Sequence, residues 1–182
     1  DPTLATELAG CLGAEEGVIN QRCFPDMETY LRVDSDCRGR ACIVFCNLYQ
    51  PNDKIMPLLF LVDTLRELGA EKIALATPYL SYMRQDKRFL PGECVNARPF
   101  GKLLSGYVDF LVTVDPHLHR IHSLDEVYSI PTRVVKAAPL IADWVRKQVE
   151  NPLFVGPDSE SEQWVSDVAR RADAPFLVLE KT

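Results

Sequence analysis

Residues 41–77, ACIVFCNLYQPNDKIMPLLFLVDTLRELGAEKIALAT, hold the pattern that decides the fold. Positions 41–47 form a continuous apolar run, the mark of a strand buried on both faces of a parallel sheet. Over 52–68, Ile55, Leu58, Leu59, Val62, Leu65 and Leu68 recur at spacings of three and four, which lines them along one helix face. Asn52 or Asp53 is the expected N-cap and Gly69 the C-cap. Positions 72–77 return to strand. A strand, a helix and a second strand of these lengths make a βαβ crossover, which is right-handed almost without exception.

The same alternation runs outward in both directions. Leu4, Leu8 and Leu12 mark a first helix over 3–12, followed by strands near 17–22 and 29–33. Beyond residue 77 the pattern predicts a helix over 96–104, strands over 110–115 and 132–135, and a helix over 139–149. A further strand, helix and strand follow over 153–156, 160–171 and 175–179. The fold class is therefore α/β, a mostly parallel sheet flanked by helices. We place the domain boundary near residue 150, with a first domain over 1–150 and the beginning of a second, similar one over 151–182.

Composition narrows the function classes. Of the 182 residues, 47% are hydrophobic and 25% charged, as in an ordinary globular protein. Asp and Glu total 26 against 20 Lys and Arg, giving a net charge of −6, which argues against nucleic acid or an anionic membrane as the main partner. The six cysteines form no CxxC pair and no zinc-finger spacing, and read as free thiols of a reducing, cytoplasmic compartment. No apolar run approaches the roughly 18 residues of a membrane span, and no signal-peptide pattern is visible.

Ligands of open α/β sheets bind beyond the C-terminal ends of the strands. The strand at 72–77 empties into Pro78-Tyr79-Leu80-Ser81-Tyr82-Met83-Arg84-Gln85-Asp86-Lys87-Arg88-Phe89, where cations and aromatics interleave. Arg forks onto phosphate oxygens and tyrosines stack on flat bases, so the loop suits a nucleotide as well as it suits plain solvation. The strand at 110–115 empties into Asp115-Pro116-His117-Leu118-His119-Arg120, a metal or phosphate site or a structural pair of histidines. An extended backbone sends His117 and His119 to opposite sides, which argues against a joint chelate. Asp158, at the start of a helix, is an N-cap or a ligand for a hard cation. No GxxxxGK[ST] or GxGxxG loop is present.

Taken in order, these segments resemble the ribose-phosphate pyrophosphokinase (phosphoribosyl pyrophosphate synthetase) family from about residue 22 onward. The family's F-[SP]-D-G-E segment is matched by Phe24, Asp26 and Glu28, with Met27 where glycine is usual. Its P-x-N-[DE] helix start is matched by Pro51-Asn52-Asp53, and its P-Y-x-x-Y-x-R-Q-D-[RK]-[KR] run by Pro78, Tyr79, Tyr82, Arg84, Gln85, Asp86, Lys87 and Arg88. V-D-L-H appears as Val114-Asp115-Pro116-His117, P-D-x-G begins at Pro157-Asp158, and the L-x-K-x-R loop begins at Leu179 and Lys181. Ser159-Glu160-Ser161 stands where the family has a glycine-containing turn, and Leu80-Ser81 replaces an aromatic-glycine pair.

The resemblance implies a phosphoribosyltransferase-like fold. It also implies transfer of the diphosphoryl group of ATP to ribose 5-phosphate, with Mg2+, giving AMP and 5-phosphoribosyl 1-diphosphate. In that reading Arg84, Gln85, Asp86 and Lys87 hold ATP, and Phe24, Asp26 and Glu28 reach the adenine from a neighbouring subunit of a dimer-based homo-oligomer, often a hexamer. His117 and Asp158 meet Mg2+, and Lys181 and His117 serve catalysis. The family's acidic D-D-x-x-x-T-G-G-T-like loop has no match in the 182 residues, so this segment alone is expected to be inactive. The alternatives are a non-catalytic regulatory or scaffold homologue and a phosphoribosyltransferase-like enzyme.

Overall fold

The computed structural model describes residues 2–180. The chain divides into two compact units between Val134 and Val135. In the first, helix α1 (Pro2–Leu12) precedes an antiparallel hairpin of β1 (Ile19–Cys23) and β2 (Thr29–Val33), in register from Ile19 opposite Val33 to Cys23 opposite Thr29. A four-stranded sheet then forms from β3 (Ala41–Phe45), β4 (Lys72–Thr77), β5 (Phe110–Val114) and β6 (Thr132–Val135), in that spatial order. Helix α2 (Asn52–Glu67) connects β3 to β4, and α3 (Ala97–Ser105) connects β4 to β5. β3 pairs parallel with β4, and β4 with β5.

The core follows from the helical and strand periodicities. Leu58, Leu59, Val62 and Leu65 of α2 are buried, as are Ile73, Leu75 and Thr77 of β4 and Leu111 and Thr113 of β5. α2 ends in a Schellman motif: Ala70 N–H donates to Leu65 O and Gly69 N–H to Arg66 O, with Gly69 at φ +93. At the other end the expected cap is corrected. Pro51 occupies the N-cap position, where its ring offers no side-chain hydrogen bond, and the Asn52 carboxamide accepts the Tyr82 hydroxyl.

β3 also departs from its expected burial. Val44 is 7% exposed but Ile43 is 49% exposed. β3 is an edge strand of this sheet, and only one of its faces is covered, so a continuous apolar run here does not mean two buried faces.

Gly101 of α3 lies against the chain just after a short 3-10 turn, Leu124–Glu126. A Cβ there would stand 2.4 Å from the Val127 carbonyl oxygen, and backbone cannot swing aside as a flexible side chain does. Gly101→Ala is therefore expected to cost about 2–3 kcal/mol despite the better helix propensity of alanine, read as a lowered thermal midpoint.

The second unit holds α4 (Ala138–Gln148), β7 (Phe154–Gly156), α5 (Glu162–Ala172) and β8 (Phe176–Val178), with β7 and β8 pairing parallel. α4 packs in this unit, where Ala138 and Ala142 meet Val168 and Ala172 of α5. Among the described residues no helix is long and apolar enough to cross a membrane.

Candidate functional site

Parallel pairing of β4 and β5 sets Thr77 opposite Thr113, so the loops that follow both strands leave the same edge of the sheet. The loop after β3 joins them there, with Leu48 N–H donating to Tyr79 O at 3.2 Å. Tyr49 and Tyr79, both partly exposed, stand edge to face with centroids 6.2 Å apart. Tyr82 at φ +62 and Asp115 at φ +37 hold left-handed backbone that non-glycine residues adopt only when the surroundings dictate it.

Asp86 ties two of these loops together. Its carboxylate accepts the Arg120 backbone N–H at 3.0 Å and the Arg120 guanidinium at 3.1 Å, and its side chain is 1% exposed. Burial opposes the charge of Asp86, but the two hydrogen bonds and the positive charge of Arg120 outweigh it and hold the carboxyl below its ordinary value. A depressed folded-state pKa contributes stability that is fully present above the unfolded value, near about 3.9 for Asp, and is lost as the pH falls through the folded-state value. The native protein should accordingly lose stability on acidification below about pH 4, and Asp86→Asn should flatten that part of the curve, as read by thermal melts across an acid series.

The remaining residues of the run are distributed by partner. Arg84 is exposed and has no hydrogen bond or ion pair among the described residues. Lys87 Nζ lies 4.9 Å from the centroid of the Phe89 ring, and the Arg120 guanidinium lies 5.4 Å from it. Gln85 is half-buried, its carboxamide 3.5 Å from the Glu93 carboxylate. Arg88 donates to the Glu93 carbonyl oxygen at 2.8 Å.

Glu93 and Arg120 were not singled out from sequence. One Glu93 oxygen accepts the backbone N–H groups of Phe89 at 2.8 Å and Leu90 at 3.1 Å, which closes the end of the loop. The signal available for Glu93 is its place just after Pro91-Gly92, where a carboxylate can reach back to free amides.

The expectation that His117 and His119 point apart is corrected. β5 ends at Val114 and Asp115 turns the chain, so the segment is not extended. The two rings stand 6.3 Å apart at 74°, and one ligand atom from each, together with a carboxylate oxygen of Asp86, lie within 4.8 Å of one another.

Phe24, Asp26 and Glu28 occupy the exposed tip of the β1–β2 hairpin. Arg22 lies over both Phe24 and Tyr30, at 4.9 Å and 4.4 Å, and the two rings meet edge to face at 6.1 Å. Asp26 accepts the Glu28 amide at 3.2 Å, and Met27 takes φ +72 between them. Among the described residues, the hydrogen bonds and ring contacts of Phe24, Asp26 and Glu28 stay within the hairpin.

Asp158 belongs to the second unit, where its Oδ1 accepts the Ser161 N–H at 3.1 Å and caps the 3-10 turn Ser159–Ser161. The N-cap reading of this residue is thus realised. Lys181 lies outside the described residues.

A family model described as the N-terminal domain of ribose phosphate pyrophosphokinase matches residues 1–107. The chain belongs to the ribose-phosphate pyrophosphokinase family. It is 33% identical over 180 residues to a ribose-phosphate pyrophosphokinase of Methanobrevibacter smithii, an alignment covering 98% of this chain and 59% of that protein. It is 35% identical over 156 residues to one of Methanothermobacter thermautotrophicus, covering 85% of this chain and 53% of that protein. Among solved structures it resembles the phosphoribosylpyrophosphate synthetase of Mycobacterium smegmatis, with a TM-score of 0.85, 26% identity, and coverage of all of this chain and 61% of the other. The chain thus spans little more than half the length of the curated relatives it matches, and its fold is phosphoribosyltransferase-like. Met27 takes the left-handed backbone, φ +72, for which glycine is suited, so the hairpin turn carries local strain there.

Proposed function

We propose that this chain is the ATP-side part of a ribose-phosphate diphosphokinase. The observation that carries the reading is the Arg84–Arg88 run held across the ends of β4 and β5 by the Asp86–Arg120 pair, with exposed cations facing outward. Such an array matches the demand of phosphoryl transfer, in which the protein's work is positioning and charge stabilisation. Arg84 and Lys87 take the phosphates, Gln85 hydrogen-bonds the nucleotide, and Asp86 acts by placing the loop, its own oxygens being committed to Arg120. The anomeric O1 of ribose 5-phosphate attacks the β-phosphorus, the bond from that phosphorus to the α-phosphate oxygen breaks, AMP leaves, and the O1 proton passes to solvent.

Phe24, Asp26 and Glu28 reach the adenine of a neighbouring subunit, which makes a dimer-based homo-oligomer, up to a hexamer, part of the site. The confinement of their contacts to an exposed hairpin supports this. Asp158, in the second unit, offers the hard oxygen donor that Mg2+ prefers, and His117, in the first, is the other candidate ligand. When bound, the metal neutralises charge on the transferred phosphate oxygens. Lys181 adds positive charge at the transition state, and His117 is the other catalytic residue. The six cysteines are free thiols, in keeping with a cytoplasmic setting.

The test is the nucleotide product. The intact protein incubated with ATP, Mg2+ and ribose 5-phosphate should release AMP, whereas the 182 residues alone should release none.

A further inference from the structure

We propose that Glu93 is a positioning residue for nucleotide binding: through its half-buried carboxylate it holds the loop that carries Arg84 and Lys87 in the shape that meets ATP. The inference rests on the diphosphokinase reading and adds to it a residue that acts through its loop neighbours and not on the phosphates. The local sequence explains how Glu93 reaches them. Leu90-Pro91-Gly92-Glu93 has proline and glycine at the two central positions favoured in a type II turn, Gly92 takes φ +89, and the Glu93 N–H donates to Leu90 O at 3.3 Å. The turn brings the Glu93 side chain back over the residues before it. One carboxylate oxygen accepts the Phe89 N–H at 2.8 Å and the Leu90 N–H at 3.1 Å, and the Gln85 carboxamide nitrogen stands 3.5 Å from the same atom. The Glu93 carbonyl oxygen accepts the Arg88 Nε–H at 2.8 Å.

Lys87, Arg88, Phe89 and Leu90 are all exposed, so apolar burial does not fix this segment, and the Asp86–Arg120 pair pins it only from the other side. A carboxylate suits the place better than a neutral acceptor. Hydrogen bonds to a charged acceptor are the stronger kind, and its negative charge offsets the repulsion among Arg84, Lys87 and Arg88. Among the described residues the hydrogen bonds of Glu93 stay within residues 85–90, and it forms no ion pair. A ligand that must itself order the loop binds more weakly by the cost of that ordering. Loss of Glu93 therefore falls on ATP and leaves ribose 5-phosphate untouched.

The test is the steady-state kinetics of the intact protein with ATP, Mg2+ and ribose 5-phosphate, read as AMP formed. Glu93→Ala should raise the KM for ATP about tenfold and leave kcat and the KM for ribose 5-phosphate within about twofold, the split of a residue that shapes the nucleotide loop alone. Glu93→Gln keeps an acceptor oxygen at the same reach and loses the charge, so its KM for ATP should rise only about threefold. This second variant decides the matter even where the alanine variant does not fold. Amide exchange at Phe89 and Leu90 should quicken in both variants, more in Glu93→Ala, while exchange over 117–122 holds steady. An unchanged KM for ATP, an equal rise in both KM values, or unchanged exchange at Phe89 and Leu90 would overturn the proposal and leave the diphosphokinase reading standing. Native protein that forms no AMP would end both.

Discussion

Arg84→Ala is expected to weaken ATP binding by roughly 10–100-fold, with no change in thermal midpoint. The magnitude follows from the loss of charge-assisted hydrogen bonds to phosphate, about 1.5–3 kcal/mol, at 1.4 kcal/mol per tenfold. The unchanged stability follows from the structure: Arg84 is exposed and has no partner among the described residues, so its truncation strands no donor or acceptor. Arg84→Lys should recover the charge but not the planar fork, and fall between the two. Calorimetric titration of the intact protein measures both variants. An Arg84→Ala titration indistinguishable from the native one removes Arg84 from the site.

The second large effect is structural. Asp86→Ala should lower stability by about 2–3 kcal/mol, because it leaves the Arg120 backbone N–H and guanidinium without the carboxylate that satisfies them. The cost is less than that of breaking a wholly buried pair, since the Arg120 side chain is 34% exposed and recovers part of its hydration. The loops after β4 and β5 then lose their crosslink, so amide exchange should rise at residues 84–90 and 117–122 together. Exchange confined to one loop would contradict the crosslinking role.

How far the sequence is legible differs between elements for physical reasons. β2, β4 and β6 fall where alternation and β-branched composition place them, and α2 stops at Glu67, just before the left-handed Gly69, because such a position after an apolar helical run has few other solutions. The edge position of β3 is not legible, since a run of apolar residues records affinity for a sheet and not how many faces the sheet has covered. The same limit applies at the site. Arg84 through Arg88 suit an anion by type and order, and the resemblance supplies the chemistry proposed for them. The partner of Asp86 lies on another strand's loop, and nothing local marks Arg120. His117 and His119 illustrate it most plainly: their ligand atoms converge after a turn at Asp115, φ +37, which residue type alone does not dictate.

The central claim is the identity of the group transferred, and one measurement addresses it directly. The intact protein is mixed with ATP, Mg2+ and ribose 5-phosphate, and the nucleotide products are resolved by chromatography. Release of AMP that depends on ribose 5-phosphate is the result predicted here. ADP as the sole nucleotide product, or no product at all, would contradict it.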